Sequence, residues 1–401
     1  MSVTGRLPEI EREGALPDQP GIGCEWRPST ANTERKMQFF DSTITEEAIV
    51  EVERVLRSGF VSEGTVVADF EKQLDRQLGL MHPVALNSGT SALHLALVIA
   101  GVASGDEVII PPQTFIATGM AVLMQGAIPV FADVQQSTGN IAPESIREKI
   151  TQRTRAVIPV HWGGYPCDLD EIHEIARQAE ITVIEDAAHA LGATYKGRPI
   201  GTISRFTAFS FQAIKHLTTG DGGALACREE ADAHEARARR WFGIDRANSQ
   251  ESILGEREYD VEHLGFKYHM NNVAAAIGLG NLKSFQHVLD RHHQIVARYR
   301  YELSGVPGLA LLEQKEDRSS ADWFFPVLVE RREDFVRKLR KCGCAVSVVH
   351  RRIDQNRVFG NDRTKLPGQA FFDKRHCTLP VHASLTDEDV GLVIAVVKEG
   401  W

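Results

Sequence analysis

The sequence predicts an α/β protein: a mostly parallel sheet sandwiched by helices, followed by a smaller C-terminal α+β unit. Three observations carry that expectation. Between residues 84 and 184, short apolar runs alternate with amphipathic stretches of helical period. The short runs are apolar at successive positions, as strands buried on both faces read. Past residue 230 the texture changes to long helices and a shorter series of strands and helices.

The elements follow in order. Helical spacing of Ile44, Ala48, Ile49, Val52, Val55 and Leu56 predicts a helix over 43–58, stopped by Gly59. A second helix, 66–78, stops at Gly79 in the same way. Strands are predicted at 84–86, 107–110, 128–131, 156–160 and 182–184, with helices at 91–100, 115–123, 143–150 and 169–179 between them. A further apolar strand covers 206–211. Helices follow over 229–241 and 272–302, the latter with one break. The C-terminal unit then reads as strand 323–329, helix 332–341, strand 345–349 and helix 387–397.

The chain so divides into an N-terminal extension, a large α/β domain over 37–290 and a small α+β domain over 291–401. Residues 1–36 are rich in Pro, Gly, Glu and Arg without periodicity, and are expected to be disordered.

Composition narrows the function classes. At 401 residues, with 43% hydrophobic and 25% charged, the chain is ordinary globular protein with no long apolar run for a membrane span. A net charge of −9 argues against general nucleic-acid binding. No signal-peptide core opens the chain, and a cytoplasmic location is expected. Six cysteines without framework spacing suit free thiols, and Cys342-Gly343-Cys344 lacks the second pair a metal site needs. No histidine pair has metal spacing. His292 and His293 read as a solvated helix face.

In such sheets ligands collect at the carboxyl ends of strands, and four polar clusters lie there. Asn87-Ser88-Gly89-Thr90-Ser91 opens a helix, where free N–H groups and a partial positive charge suit an anion. Phe115 opens the next helix and offers a flat face for stacking. Asp186, with His189 close behind, ends an apolar strand, where a carboxylate needs a cationic partner. Lys215 follows the strand at 206–211, with Ser210 before it and Gly222-Gly223 after. A lysine delivered from buried strand to polar loop is suited to covalent chemistry. Lysine and aspartate on neighbouring strand ends are what pyridoxal 5′-phosphate requires: an amine for the Schiff base and a carboxylate for the ring nitrogen. Each cluster has an ordinary alternative as a helix cap, core aromatic or surface charge.

Longer motifs extend the pattern: Asn-Ser-Gly-Thr-Ser-Ala-Leu-His at 87–94, Gly-Asp-Glu-Val-Ile-Ile-Pro at 105–111 and Thr-Phe-Ile-Ala-Thr at 114–118. Val-His-Trp-Gly-Gly-Tyr-Pro-Cys-Asp at 160–168, Glu-Asp-Ala-Ala-His-Ala at 185–190 and Phe-Ser-Phe-x3-Lys at 209–215 complete it. From about residue 38 to Trp401 the chain resembles the DegT/DnrJ/StrS sugar aminotransferases, which are fold-type I pyridoxal phosphate enzymes.

The resemblance implies that Lys215 bears the Schiff base and Asp186 pairs with the ring nitrogen. His189 would lie near the ring and Phe115 stack on it, with Gly89, Thr90 (or the Ser91 amide) and Ser210 holding the phosphate. The stretch 265–272 matches a segment that reaches into the neighbouring subunit's site, which implies a homodimer with shared sites. Many members carry Asn where Lys267 stands, and lysine would suit a phosphate as a point charge. Ser204 stands where aspartate is common, and no function attaches to it. Trp162, Tyr268 and His350-Arg351-Arg352 fall where a sugar-nucleotide pocket would lie.

The implied activity is transfer of an amino group, with glutamate as donor, to a nucleotide-linked keto sugar. A branch of the family that removes a sugar hydroxyl carries histidine at the lysine position, so Lys215 speaks against dehydration, with His216 next to it to be located. A keto-cyclitol substrate and a non-catalytic sensor are the alternatives. No metal, nucleic-acid or membrane partner is implied.

Overall fold

The structure, a computed structural model, describes residues 37–246, 249–360 and 365–401. The N-terminal extension expected over 1–36 lies outside the described residues. Residues 37–401 form one compact unit.

Seven strands make the central sheet: β1 (Val84–Leu86), β2 (Glu107–Ile110), β3 (Ile128–Phe131), β4 (Thr154–Val157), β5 (Thr182–Asp186), β6 (Phe206–Ser210) and β7 (Gly223–Cys227). Their order is β1-β7-β6-β5-β4-β2-β3. Pairings from β6 through β3 are parallel, whereas β7 runs antiparallel to both its neighbours. Alternate residues feed opposite cores. Ile109, Val157, Val183 and Phe209 face one cluster, with helices Thr65–Leu78 and Leu169–Gln178. Val108, Ala156, Ile184 and Phe206 face the other, with helices Gly89–Ile99 and Ile116–Met124. Burial on both faces explains the unbroken apolar runs of these strands.

Two sheet segments depart from the sequence expectation. The strand expected over 156–160 pairs only as far as Val157, because Pro159 has no N–H to give; a bridge from Val160 to Asp186 resumes the contact. β7 went unforeseen. Its run Gly-Ala-Leu-Ala-Cys lacks β-branched and aromatic residues, and only its full burial makes it a strand.

The small unit has its own sheet, Leu309–Leu311, Phe325–Val329 and His376–Leu379, all antiparallel. Helix Arg332–Lys341 and helix Asp387–Lys398 pack around it. The strand expected over 345–349 is absent: Ser347 makes one bridge to Thr378, and the chain then turns away toward His350. The break expected in 272–302 falls at Lys283 and Ser284, between helices Asn272–Leu282 and Phe285–Leu303. The domain division expected at residue 290 lies inside the latter helix. Its first turns place Phe285 and Leu289 on the large core, and Ile295, Val296, Tyr299 and Leu303 on the small one. His292 is not on a solvated face. It is buried, its Nδ1 lies 2.9 Å from the Asp322 carbonyl, and burial pushes its ring down to about 4.

Candidate active site

Strand register assembles the site. β5 and β6 pair so that Asp186 stands level with Ala208, two residues before Ser210. Ser210 pairs with Gly223, and Gly223 with Leu86, which brings the start of helix Gly89–Ile99 against the end of β6. The approach is close. A Cβ on Gly223 would lie 2.5 Å from the Gly89 nitrogen, and one on Gly89 would lie 3.0 Å from the Ser210 Cβ. At Gly223 only glycine permits this contact, and a side chain on Gly89 would need Ser210 to give by a few tenths of an ångström.

These strand ends open into a cavity of about 300 Å³. Gly89, Thr90, Phe115, Asp186, His189, Ser210, Lys215 and His350 all line it, with Ser88 of the same helix-opening cluster, joined by Thr118 and Trp323, to which sequence reasoning had given no role.

At one end lies the helix N-terminus. Ser88 is the cap, and its hydroxyl accepts from the Ser91 amide at 3.0 Å. The Ser91 hydroxyl donates to Asn87 Oδ1 at 2.6 Å. Both Ser91 groups therefore serve the cap, leaving the first-turn amides of Gly89 and Thr90, with the Ser210 hydroxyl, as the groups presented to an anion.

The Asp186 carboxylate is buried in the cavity wall. Its Oδ2 accepts from the Thr118 hydroxyl at 2.7 Å and its Oδ1 from the Ala188 amide at 3.2 Å. Burial pushes this carboxyl above its ordinary range, opposed by those two donors and by the Lys215 charge. Strand alternation turns its neighbour Glu185 to the opposite face. There Glu185 accepts from His161 Nε2 at 2.7 Å and from the Ser204 amide at 3.0 Å, which gives Ser204 a structural place. Because His161 Nδ1 accepts from the Cys167 amide, Nε2 carries the proton toward Glu185.

Lys215 is half-buried, and desolvation pushes its ammonium down to about 7 against the opposing pull of Asp186. Its Nζ stands 3.5 Å from the centre of the Trp323 ring. His189 stacks on the same indole at 3.9 Å, and His350 lies 5.7 Å beyond His189 in near-parallel orientation. Burial, reinforced by the Lys215 charge, holds His189 well below the usual imidazole range and His350 at about 3. Both rings are neutral near pH 7, and the Nδ1 of each is buried without a hydrogen-bond partner. Phe115 is 55% exposed at the cavity wall, 5.3 Å from His350.

Other expected residues lie elsewhere. Trp162 is buried against Phe324 and Phe372, outside this cavity. Tyr268 stacks on Phe266 and its hydroxyl lies 3.1 Å from His94 Nδ1. Lys267 is exposed and does not line its own chain's cavity; its carbonyl accepts from Asn87. Arg352 is tied to Asp354 at 2.5 Å, and Arg351 is exposed. His216, the neighbour of Lys215, faces away: its Nε2 lies 2.7 Å from the Ala321 carbonyl and its ring packs on His292. Trp323 was missed because it enters from beyond residue 300, and an isolated Trp before a strand carries no signal of its partners.

One cavity thus presents an anion cradle, a carboxylate suited to a cationic ring nitrogen, and a near-neutral amine suited to a carbonyl carbon. Spore coat polysaccharide biosynthesis protein SpsC of Bacillus subtilis is 38% identical over 368 residues, 89% of this chain and 95% of that protein. The sugar aminotransferase CalS13 of Micromonospora echinospora superposes with a TM-score of 0.87 at 36% identity, covering 91% of this chain and all of that one. The putative sugar aminotransferase Spr1654 of Streptococcus pneumoniae, solved in PLP and PMP forms, gives 0.84 at 30% identity over 91% of this chain and, for the PLP form, 98% of its own. With residues 42–398 matching its family model, the chain belongs to the DegT/DnrJ/EryC1/StrS aminotransferase family.

Proposed function

We propose that the protein is a pyridoxal phosphate-dependent aminotransferase that converts a nucleotide-linked keto sugar to the amino sugar with L-glutamate as donor. The observation that carries this is the presence, in one cavity of about 300 Å³, of a half-buried lysine held near neutrality and a buried aspartate. The cavity fits the cofactor. Its glycine-lined helix N-terminus suits a phosphate, Asp186 suits a protonated ring nitrogen, and the unpartnered Nδ1 of His189 suits a ring oxygen. When bound, pyridoxal phosphate supplies a conjugated ring that accepts the electrons left when a proton departs the amino acid's Cα.

The chain's own residues supply the rest. Gly89, Thr90 and Ser210 anchor the phosphate end through amides and hydroxyls. Asp186 would face the ring nitrogen, whose positive charge would favour the carboxylate against the burial that raises it. Lys215 would be the covalent anchor of the cofactor, and its Nζ, when free, would carry the proton to and from the amino acid's Cα. A lysine near pH 7 suits both directions of that transfer. Phe115 and His350 border the cavity where the second substrate would enter.

A homodimer belongs to the same proposal. Ile253, Leu254 and Leu264 are exposed around the hairpin Gln250–Glu251 and Arg257–Glu258, and Lys267 on the following segment would serve the partner's site. Among the described residues, no helix is long and apolar enough to cross a membrane.

The test is a half-reaction. Purified protein loaded with pyridoxal phosphate is mixed with glutamate, then with nucleotide-linked keto sugars and keto-cyclitols, and products are weighed. Conversion of the visible band by glutamate and a mass gain on a nucleotide sugar support the reading. Glutamate that leaves the band unchanged, or amination of free cyclitols alone, overturns it.

A further inference from the structure

Lys215 has an anionic neighbour across the cavity, yet among the described residues it forms no ion pair with Asp186. The carboxylate acts on it only through space. The amine instead lies over the Trp323 ring, 3.5 Å from its centre.

The indole is itself fixed. Its Nε1 donates to the carbonyl of Ile214, the residue before Lys215, at 2.9 Å. Phe40 stacks on it at 4.8 Å and 18°, and His189 at 3.9 Å and 16°. Trp323 is 2% exposed. Such a ring attracts the lysine's ammonium form through its negative face without offering a full counter-charge. That distinction matters here. A carboxylate that paired with the lysine would be unavailable to the ring nitrogen, and the lysine would be held protonated and unreactive.

We propose that Trp323 is a positioning residue for Lys215: its indole face holds the unattached amine inside the cavity and out of an ion pair with Asp186. The inference rests on the reading that this cavity takes pyridoxal phosphate. The moments served are those when the lysine is not bonded to the cofactor, before loading and during each proton transfer.

The titratable groups around the amine are known. Asp186 and Asp221 are the carboxylates of the cavity wall, and His189 and His350 the imidazoles, both kept neutral by burial. His216 follows Lys215 in the chain but faces His292 and the Ala321 carbonyl. Of the two carboxylates Asp186 is the one whose charge acts on Lys215, so it is the group an unsupported amine would meet, and such pairing would move its deprotonation to higher pH.

The experiment uses apo-protein and two cofactor forms. Pyridoxal phosphate bonds to Lys215 and gains a visible band; pyridoxamine phosphate needs the cradle and Asp186 but forms no bond to the lysine. For Trp323→Leu at pH 7, bond formation slows about tenfold, the size of a desolvated cation–π contact. Its rate-against-pH midpoint moves upward, and pyridoxamine phosphate affinity falls by far less than the rate of bond formation. Trp323→Phe keeps a ring face and most of the rate. Trp323→Met serves as a second aliphatic replacement should the leucine variant fail to fold. A wild-type rate in either aliphatic variant overturns the proposal, as does a parallel loss of pyridoxamine phosphate affinity, which would mark a merely structural role. Wild-type protein that gains no visible band sinks the cofactor reading and this inference together. A normal wild type beside an unimpaired variant sinks this inference alone.

Discussion

The Thr118 hydroxyl donates to Asp186 Oδ2 at 2.7 Å, and the Thr114 hydroxyl stands 2.7 Å behind it. Thr118 has one proton, already given to the carboxylate, so Thr114 must be the donor in the second pair. The two hydroxyls form a chain polarised toward the Asp186 carboxylate. Removing it leaves a buried carboxylate short of a donor. Thr118→Val is expected to lower the glutamate half-reaction rate by roughly tenfold or more, as losing a hydrogen bond to a charge of about 1.5–3 kcal/mol implies. Thr118→Ser should restore it. Equal rates in the valine and serine variants would remove the hydroxyl from the mechanism.

Lys215 gives the apo-protein a pH dependence whose sign is fixed. Its folded value near 7 lies below the ordinary 10.5, so between these the unfolded chain binds more protons than the folded one. Stability contributed by this group therefore rises with pH across that window, by up to about 1.4 kcal/mol per pH unit. Below about pH 7 the burial penalty is fully present. Urea unfolding of apo wild type and Lys215→Met, compared from pH 7 to 9.5, should show the wild type gaining on the variant. Parallel curves would mean that the amine is not desolvated.

Lys215→Ala should abolish transamination while the fold persists, since the proposed function makes the lysine both anchor and proton carrier. Borohydride treatment followed by mass spectrometry should find the cofactor attached in the wild type and absent in the variant. Turnover near the wild-type rate in Lys215→Ala would end the transaminase mechanism.

Gly223→Ala tests how tightly the cradle is built. A methyl there would lie 2.5 Å from the Gly89 nitrogen and 2.6 Å from the Phe209 carbonyl oxygen. The helix start must shift, at a cost of about 1–3 kcal/mol for overpacking. A lower Tm and weaker pyridoxamine phosphate binding are expected together. Unchanged affinity would show that the phosphate end does not depend on this contact.

Ile253 and Leu264 are 102% and 75% exposed, a cost that a partner subunit would relieve. Ile253→Asp with Leu264→Asp should shift sedimentation toward monomer. Dimers of wild-type strength would place the interface elsewhere.

Much of this was legible in the chain because it is local. Apolar runs buried on both sheet faces, glycines ending the helices at 59 and 79, and a cap ahead of Gly89 are properties of neighbouring residues, and they fixed the α/β class and most elements. The order of polar clusters after strands marked Gly89, Asp186 and Lys215, since sheet geometry sends strand ends to one edge. Tertiary structure decided what depends on non-local contact. β7 is a strand only because it is buried between β1 and β6. The Ser91 hydroxyl and amide were claimed by Asn87 and Ser88, His292 was drawn into the core, and Trp162 was packed against Phe324 and Phe372. Trp323 reached Lys215 from more than a hundred residues away. Periodicity records which face of an element is apolar; which distant side chain completes a buried charge's surroundings is set by desolvation and packing in the assembled fold.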